Sequence, residues 1–300
     1  MEITINMVID NCCLVNINSL IHMWESGKVK DLFVAGGTSG MGKGLAIYYL
    51  RQGSRVTVTG SNRLRGKEFL DEAARLGAAE RASFIQADLL SLSENRRVIQ
   101  EVQQHHASLD GLVLTAMQQF PKRKLTPDGF ESTFALYYVS RFILSYGLTE
   151  LLERGINPVI VSIGGTGMTK GAVHYDDLTL QQGYGLLKAT LQGGRANDLL
   201  GVAYAENHKT GKTRFILNHP GYTHSGTNHL AQPFKGILRV MGKLFAQPVE
   251  RSIQPIIKLM DNPPSQPLIA WDRTKPVDLD LPTLSKKDAL KLYQLTKHIL

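Results

Sequence analysis

A glycine-rich turn between a short strand and a helix constrains the fold of this chain more than any other feature. Residues 31–37 read DLFVAGG, an apolar run that ends in glycines, and residues 42–53 read GKGLAIYYLRQG, an amphipathic helical pattern. Between them, Gly36, Gly40 and Gly42 follow the spacing Gly-x-x-x-Gly-x-Gly. Glycine permits a tight turn and the close approach of a phosphate, and the first turn of the helix offers free N–H groups. A plain strand-to-helix turn could carry the same letters, but this placement predicts dinucleotide binding.

The rest of the chain continues this alternation of apolar strands and longer helices. Further strand-like runs are RVTVTG, ASFIQADL, LDGLVLTAM, PVIVSIGG, TRFILNHPG and PLIAW, each separated from the next by a helical pattern or a variable segment. Such alternation predicts an α/β fold with a Rossmann-type doubly wound parallel sheet. No linker interrupts the pattern, so we expect a single domain over residues 31–300.

The helical patterns also predict local features. Residues 133–155 read as one long, very apolar helix before the fifth strand, and residues 186–207 read as another helix that follows this strand in the sequence. Ser93 is the predicted N-cap of the helix that begins SENRRV, because a serine oxygen can accept a hydrogen bond from a free N–H group. Residues 285–300 carry apolar side chains on roughly one side, which predicts a surface helix.

Residues 1–30 precede the alternating pattern and are interpreted as an N-terminal extension, an arm that is partly disordered or makes oligomer contacts. The stretch lacks a basic leading region and is broken by Asp10 and by asparagines, which is not typical of a signal peptide or a membrane span. Cys12 and Cys13, the two cysteines of the chain, are adjacent and cannot form a disulfide framework. These features predict a cytoplasmic protein with no membrane partner.

The formal net charge of +8 suits an anionic ligand. A cofactor phosphate explains this charge as well as a nucleic acid would, and no DNA- or RNA-binding motif is found in the sequence. No set of His, Cys, Asp and Glu has the spacing of a metal site, and His174 and His219 are interpreted as structural. We therefore expect neither a nucleic-acid partner nor a metal.

Several motifs together resemble those of the short-chain dehydrogenase/reductase family over about residues 31–275. Ala35 stands in place of the threonine in the family's Thr-Gly-x-x-x-Gly-x-Gly motif, and Asp88 in QADL stands where the family's aspartate contacts adenine. DGLVLTAM keeps the alanine of the Asn-Asn-Ala-Gly strand at Ala116, and HPGYTHSG resembles the Pro-Gly-x-x-x-Thr segment. The resemblance implies a cofactor site formed by Gly36, Thr38, Ser39, Gly40, Met41, Gly42, Ser61, Asn62, Arg63, Asp88, Leu89, Ala116, Pro220, Gly221 and Ser225.

The end of the second strand bears on which cofactor is bound. Members that use NAD tend to place an acidic residue there, which accepts hydrogen bonds from the ribose and would repel a 2′-phosphate. Here residues 59–67 read TGSNRLRGK, with Ser61, Asn62, Arg63 and Arg65 and no acid. A solvated basic loop is the alternative, but two cations and two small polar groups favour NADP(H), with NAD(H) possible.

The catalytic motif is where the chain departs from the family. In the family a tyrosine exchanges the substrate proton, a lysine four residues later lowers its pKa, a serine orients the substrate oxygen, and an asparagine holds a relay water. Tyr184 and Lys188 have the tyrosine–lysine spacing. The chain, however, resembles the retinol-dehydrogenase-like branch in AVHYDDL, residues 172–178, and in HPG, residues 219–221. In that branch the tyrosine lies about thirty residues before Pro-Gly. Counting back from Pro220, and forward from the end of strand five, places Thr190 at the tyrosine position and Gly194 at the lysine position.

The other two tetrad positions have changed as well, since Gly165 stands at the serine position and Tyr137 at the asparagine position. Three replacements are candidates for catalysis. Tyr137 could donate a proton directly, Tyr184 with Lys188 could reach the site from before the helix, and Thr166 could orient a substrate oxygen. The alternatives are that Tyr137 packs in a helix interface, that Tyr184 caps a loop and that Lys188 is solvated.

Gly193 and Gly194 lie inside a predicted helix, where each costs about 1 kcal/mol relative to alanine. One explanation is close approach of another helix, since this helix and the long one before it form the dimer interface in many family members. The other explanation is a substrate or cofactor that fills the space left by the missing tyrosine and lysine.

Two functions are compatible with this sequence. The first is an oxidoreductase that moves hydride between NADP(H) and a carbonyl or alcohol of a small apolar molecule, with a non-standard proton donor. The second is a non-redox protein on the same scaffold, either a cyclase- or dehydratase-like enzyme or a cofactor-binding sensor or partner subunit. The expected partners are a small-molecule substrate and further copies of the chain in a homodimer or homotetramer. Residues 222–245, which would line the substrate pocket, carry no recognisable signature.

Overall fold

The computed structural model describes residues 29–221 and 248–300. Nearly all of the interpreted N-terminal extension, with both cysteines, lies outside the described residues. Ser225 and residues 222–245 lie outside them too, so nothing structural follows for these predictions. The division into an extension and one domain stays a prediction.

Eight strands form one sheet in the order β3-β2-β1-β4-β5-β6-β7-β8. They are β1 (Asp31–Ala35), β2 (Arg55–Gly60), β3 (Ala82–Gln86), β4 (Gly111–Leu114), β5 (Val159–Ile163), β6 (Arg214–His219), β7 (Leu268–Asp272) and β8 (Lys275–Pro276). Strands β1 to β7 pair in parallel, and β8 pairs antiparallel with β7. The predicted Rossmann-type α/β fold is confirmed. Because the strand order reverses between β1 and β4, the crevice for a ligand lies at the carboxyl ends of these two strands.

Helices cover both faces of this sheet. They are α1 (Gly40–Arg51), α2 (Arg63–Arg75), α3 (Leu92–His105), α4, α5 (Thr149–Glu153), α6 (Leu186–Asn207), α7 (Val249–Asp261) and α8 (Lys286–Ile299), where α4 consists of the consecutive segments Ser132–Phe134, Ala135–Val139 and Ser140–Gly147. On one face, Leu45 of α1 and Ile253 of α7 pack with Val34 of the sheet. On the other, α3, α4, α6 and α8 pack together over Phe33 and Leu112. The sheet is therefore buried on both sides, as a parallel sheet requires.

The helix predicted over residues 186–207 is present with the same bounds. The single helix predicted over residues 133–155 is wrong in detail, because Ala135–Val139 forms a π-helical turn and the helix breaks at Leu148. The predicted N-cap Ser93 is also wrong, since α3 begins at Leu92 and the Ser91 hydroxyl accepts the N–H of Glu94. A π-turn adds one residue to a helical turn and often marks a functional position.

The tail helix α8 is amphipathic, as predicted, and packs against α6. Ala289 and Leu292 are buried, and the Thr296 hydroxyl lies 2.6 Å from the Tyr138 hydroxyl of α4. This helix therefore covers the faces of α4 and α6 that point away from the sheet.

Candidate active site

The glycine turn forms the first part of the site, at the carboxyl end of β1. Gly36 and Gly40 adopt φ values of +87° and +55°, a region that side chains rarely enter. The Gly36 N–H donates to the Thr59 carbonyl at 3.0 Å, which folds the turn towards β2. A Cβ on Gly42 would lie 2.5 Å from the Gly36 carbonyl oxygen, so only glycine lets α1 begin this close to the turn. The first turn of α1 carries no acidic side chain, and its free N–H groups remain suited to a phosphate.

The end of β2 forms the second part of the site. The Asn62 side chain caps α2 by accepting the Arg65 N–H at 3.0 Å. Ser61 and Arg63 are exposed at the same edge, and the Gly60 backbone packs against Thr38 of the glycine turn. Polar and cationic groups thus lie next to the place where the glycine turn would hold a pyrophosphate.

The remaining cofactor candidates of the described residues lie along the same edge. Asp88 is exposed after β3, and its carboxylate accepts the Leu90 N–H at 3.1 Å. The Ala116 N–H donates to the Ala35 carbonyl at 3.0 Å, which joins the end of β4 to the glycine turn. Pro220 and Gly221 follow β6, and Gly221 has a φ of +81°. Backbone, polar and cationic groups at this edge fit a dinucleotide.

Tyr137 lies at the centre of the π-turn in α4, and its ring lies next to the adjacent glycines Gly193 and Gly194 of α6. A Cβ on Gly193 would lie 2.8 Å from Cδ1 of Tyr137, whereas a Cβ on Gly194 would lie 4.0 Å from its Cε1. The phenol oxygen lies 3.1 Å from the point that a Cβ on Gly164, just after β5, would occupy. Tyr137 is only 8% exposed, and burial raises the pKa of its phenol, against a lowering effect of the nearby Arg141 charge. At neutral pH this phenol therefore keeps its proton.

Arg141, four residues after Tyr137, is a fully buried cation of the site. Its guanidinium carbon lies 4.7 Å from the centroid of the Tyr137 ring. Nη1 donates to the Ser162 hydroxyl, to the Ile163 carbonyl and to Oδ1 of Asn197 at 2.8–3.0 Å, and Nη2 donates to the Ala116 carbonyl at 3.3 Å. All of these acceptors are neutral, and burial lowers the pKa of Arg141 to about 10.

A second buried charge lies behind the serine position of the family. Oδ1 of Asp198 lies 2.7 Å from the point that a Cβ on Gly165 would occupy, and it has no hydrogen-bond partner among the described residues. Oδ2 accepts the Gly167 N–H and Nη1 of Arg195, both at 3.0 Å. Burial raises the pKa of Asp198 to about 7, although Arg195 lowers it. Arg195 also donates to the Thr169 and Gly171 carbonyls, so this ion pair ties the loop after β5 to α6.

The other catalytic candidates lie in different surroundings. The Tyr184 hydroxyl donates to the Phe120 carbonyl at 2.5 Å, and Tyr184 precedes α6, which begins at Leu186. The Lys188 ammonium donates to the Gln182 carbonyl at 3.2 Å. Thr166 is 1% exposed in the loop after β5, one residue from the serine position. The structure therefore brings Tyr137 close to the β5 end and holds the Tyr184 hydroxyl at a loop carbonyl.

Thr190 of α6, which stands at the tyrosine position of the family, donates a hydrogen bond within its own helix, to the Leu186 carbonyl at 2.8 Å.

Both histidines that were interpreted as structural, His174 and His219, lie in the described residues. The His174 N–H donates to the Gln192 side chain, and Nδ1 of His219 lies 2.6 Å from the Asp272 carboxylate. These contacts are compatible with that interpretation, which stays a prediction.

Reasoning from the sequence missed four buried polar residues of this site. They are Arg141, Arg195, Asn197 and Asp198. A signal was present for Arg141, because Tyr137 and Arg141 have the same four-residue spacing as the family's tyrosine and lysine. A signal was present for Arg195 and Asp198 as well, because they have the i, i+3 spacing of an ion pair within one helix.

Similarity to known proteins agrees with this fold. The family described as short chain dehydrogenase matches residues 30–176. Human retinol dehydrogenase 14 is 27% identical over 251 residues, which is 78% of this chain and 74% of that protein. The chain belongs to the short-chain dehydrogenase/reductase family.

Two further proteins extend the comparison. An oxidoreductase of Emericella nidulans is 30% identical over 209 residues, which is 69% of this chain but only 61% of that protein. The chain thus spans less than two thirds of the length of this relative. The NADPH-bound carbonyl reductase from chicken fatty liver has the same fold, with a TM-score of 0.62 at 15% identity over 83% of this chain and 98% of that one.

Two features are absent from residues 29–221 and 248–300, the part of the chain that the structure describes. Within these ranges no helix is both long and apolar enough to cross a membrane. The same ranges contain no group of three or more His, Cys, Asp or Glu side chains that could hold a metal ion.

Proposed function

We propose that this protein binds NADP(H) and reduces the carbonyl of a small, largely apolar molecule, with Tyr137 as the proton donor. The observation that carries this proposal is the position of the Tyr137 phenol, which lies beside Gly164 at the end of β5 and against the helix that carries the lysine position. Binding of the cofactor is supported by the positive-φ glycine turn at the head of α1. A preference for NADP(H) over NAD(H) is supported by exposed Ser61, Asn62 and Arg63 and by the absence of an acid in residues 59–67.

The chemistry assigned to the chain itself is the transfer of one proton. When bound, NADPH supplies the hydride that a carbonyl carbon accepts. The carbonyl oxygen then needs a proton, and the Tyr137 O–H gives it and becomes a phenolate that recovers its proton from water. Because burial raises the pKa of Tyr137, its protonated form dominates at neutral pH. We therefore expect reduction to be the favoured direction at neutral pH, and oxidation of the alcohol to need a higher pH.

The substrate class rests on general features of the site and on relatives. The site is closed on the β5 side by a buried ring and backbone glycines, which suits an apolar molecule with one polar oxygen. Relatives named as retinol dehydrogenase and carbonyl reductase support a carbonyl or alcohol group as the reacting centre. The identity of the molecule and the cytoplasmic location stay predictions.

Assembly into a homodimer or homotetramer is also part of the proposal. In many family members the two helices that correspond to α4 and α6 form the dimer interface. Here α8 packs on α6 and its Thr296 contacts Tyr138, so an assembly through these helices has to displace α8. Sedimentation of the purified chain distinguishes a dimer that uses another surface from a monomer.

A second function is favoured by one observation. All four tetrad positions differ from the family pattern, and the ring of Tyr137 takes up space against Gly193 next to the lysine position. A site filled by its own side chain suits a cofactor-binding sensor or partner subunit, or a cyclase- or dehydratase-like enzyme, as well as it suits a reductase.

Titration and turnover separate these functions. NADPH and NADH are titrated against the purified chain, and oxidation of NADPH is then followed at the reduced-nicotinamide absorbance band with a panel of carbonyl compounds. We expect NADPH to bind more tightly than NADH, and Tyr137→Phe to lose about 100-fold or more of the turnover, as the removal of a general acid does. The matched control is Tyr184→Phe, which removes a phenol held at the Phe120 carbonyl and should leave turnover nearly unchanged.

Two results would count against this proposal. Tight binding of NADPH without oxidation on any carbonyl compound favours the second function. Loss of turnover in Tyr184→Phe but not in Tyr137→Phe contradicts the choice of donor and the sequence register on which it depends.

A further inference from the structure

The i, i+4 spacing of Tyr137 and Arg141 has a counterpart in the family. There a tyrosine and a lysine at this spacing share one face of the helix after β5, and the cation stabilises the phenolate. In this chain the corresponding helix α6 carries Thr190 and Gly194 instead. The same spacing recurs on α4, at the opposite wall of the site, where Arg141 lies over the Tyr137 ring with a carbon-to-centroid distance of 4.7 Å.

The two polar ends of this pair converge on one point of the site. The Tyr137 oxygen lies 3.1 Å, and Nη1 of Arg141 lies 3.5 Å, from the place that a Cβ on Gly164 would occupy. A side chain at position 164 would therefore crowd both the phenol oxygen and the guanidinium. Glycine at this position leaves the two groups facing the same small space.

The hydrogen bonds of Arg141 do not balance its charge. Every acceptor that the described residues offer it is a hydroxyl, an amide oxygen or a backbone carbonyl. Its Nε has no hydrogen-bond partner among the described residues. Burying a guanidinium without a partner of opposite charge costs free energy. An ionised phenol of Tyr137 would supply the missing negative charge at the moment the proton leaves.

We propose that Tyr137 and Arg141 form a relocated phenol–guanidinium pair, in which Arg141 stabilises the phenolate of Tyr137 as the family's lysine stabilises that of its tyrosine. This inference rests on the proposed function for its role in turnover. Arg141 is a positioning residue, because it acts on the reaction through Tyr137. Charged side chains face the phenol from two elements: Arg141 from α4 itself, which favours the phenolate, and Asp198 from α6, which disfavours it.

The test reads the ionisation of one phenol in the purified chain without cofactor. A fluorinated tyrosine, whose phenol is more acidic, is placed at position 137 by site-specific incorporation, and its 19F NMR signal is followed against pH. In Arg141→Met we expect the titration midpoint to rise by about one pH unit or more, a tenfold change in the acid constant. Arg141→Lys keeps a cation and should give a smaller rise, and Asp198→Asn should lower the midpoint.

A second reporter position shows whether these substitutions change the titration of tyrosines in general. The same fluorinated tyrosine at position 184, where the hydroxyl is held by the Phe120 carbonyl, should titrate at the same pH with and without Arg141. An unchanged midpoint at position 137 in Arg141→Met, or equal shifts at both positions, overturns the proposed pair. If circular dichroism shows that Arg141→Met does not fold, Arg141→Gln, which keeps hydrogen-bond donors but no charge, takes its place. If neither neutral variant folds, Arg141→Lys is used, and a midpoint at position 137 that does not rise in it overturns the proposal.

The two proposals fail separately in this design. A shifted midpoint together with no turnover on any carbonyl compound leaves the pair intact and removes the proposed function. Turnover that depends on Tyr137, together with an unmoved midpoint, leaves the function intact and reduces Arg141 to a structural residue.

Discussion

Gly193 and Gly194 are adjacent on α6, and we predict that changing each to alanine has opposite effects on stability. A Cβ on Gly193 would lie 2.8 Å from Cδ1 and 3.1 Å from Cβ of Tyr137. These atoms belong to the base of the Tyr137 side chain, which cannot move aside without moving the π-turn. A Cβ on Gly194 would meet Cε1 of the same ring at 4.0 Å, an ordinary contact distance. The two substitutions are thus chemically identical, and they differ in what the new methyl group contacts.

The expected magnitudes follow from two opposing effects. Replacing glycine by alanine inside a helix stabilises a protein by about 1 kcal/mol, because alanine loses less conformational entropy on folding. Overpacking a close contact costs about 1–3 kcal/mol. Gly194→Ala should therefore raise the free energy of unfolding by about 1 kcal/mol, and Gly193→Ala should lower it by about 0–2 kcal/mol. For a chain of this size 1 kcal/mol corresponds to about 2 °C in Tm.

Urea unfolding followed by circular dichroism measures both variants against the original chain. The cause is tested by repeating Gly193→Ala in a Tyr137→Ala background, which removes the 2.8 Å contact with Cδ1 and keeps the 3.1 Å contact with Cβ. In that background the Gly193→Ala penalty should shrink or change sign. Equal effects of the two single substitutions refute the assigned contact. So does a Gly193→Ala penalty that is undiminished without the Tyr137 ring, because the ring would then not be its cause.

Two further predictions concern the cofactor and pH. Ser61→Asp places a carboxylate at the end of β2, and Arg63→Ala removes a cation there; each should weaken NADPH binding about tenfold and leave NADH binding nearly unchanged in a fluorescence titration. Lys67→Ala, which removes a cation already paired with Asp71 at 2.6 Å, is the control, and an equal loss in it would point to non-specific attraction. The folded chain binds the proton of Asp198 more tightly than the unfolded chain, with a pKa raised from 3.8 to about 7. Its contribution to stability is therefore full below about pH 4 and lost as the pH rises through about 7. Relative to the original chain, Asp198→Asn should gain on the order of a few kcal/mol between pH 4 and pH 8, and parallel stability curves would contradict the raised pKa.

The sheet could be predicted from the sequence because each parallel strand is a continuous apolar run between turn residues. Strands β1 to β6 fall within predicted runs, and β7 extends one residue beyond its run, to Asp272. Strand β8 was missed because it has two exposed residues, Lys275–Pro276. The π-turn Ala135–Val139 was missed for a different reason. Residues 130–142 are all buried, the polar ones included, so no alternation of buried and exposed positions marks the place where an inserted residue shifts the helical phase.

The site was harder to predict because its polar groups come from residues that a pattern assigns to the core. Arg141 is buried among aromatic and aliphatic neighbours of α4, and only the tertiary structure shows that its guanidinium reaches the ends of β4 and β5. The Tyr184–Lys188 spacing is conspicuous in the sequence, yet helical geometry does not apply to it because α6 begins at Leu186. Spacing indicates chemistry only where both residues lie in the same helix, as Tyr137 and Arg141 do.

The changes at the tetrad positions depend on one another. The family's asparagine is smaller than a tyrosine and leaves more room between α4 and α6. Tyr137 fills that room, and its ring lies 4.0 Å from where the Cβ of a lysine at position 194 would begin. Once tyrosine stands at position 137, a Cβ at 193 clashes with its ring, so position 193 favours glycine. At position 194 the ring leaves room for the methyl group of an alanine but crowds a longer side chain that points towards it. A lysine lost from α6 also removes the cation from the site, and the one buried cation that the described residues place against the phenol is Arg141. The replacements are therefore better explained as a single rearrangement around Tyr137 than as four independent losses.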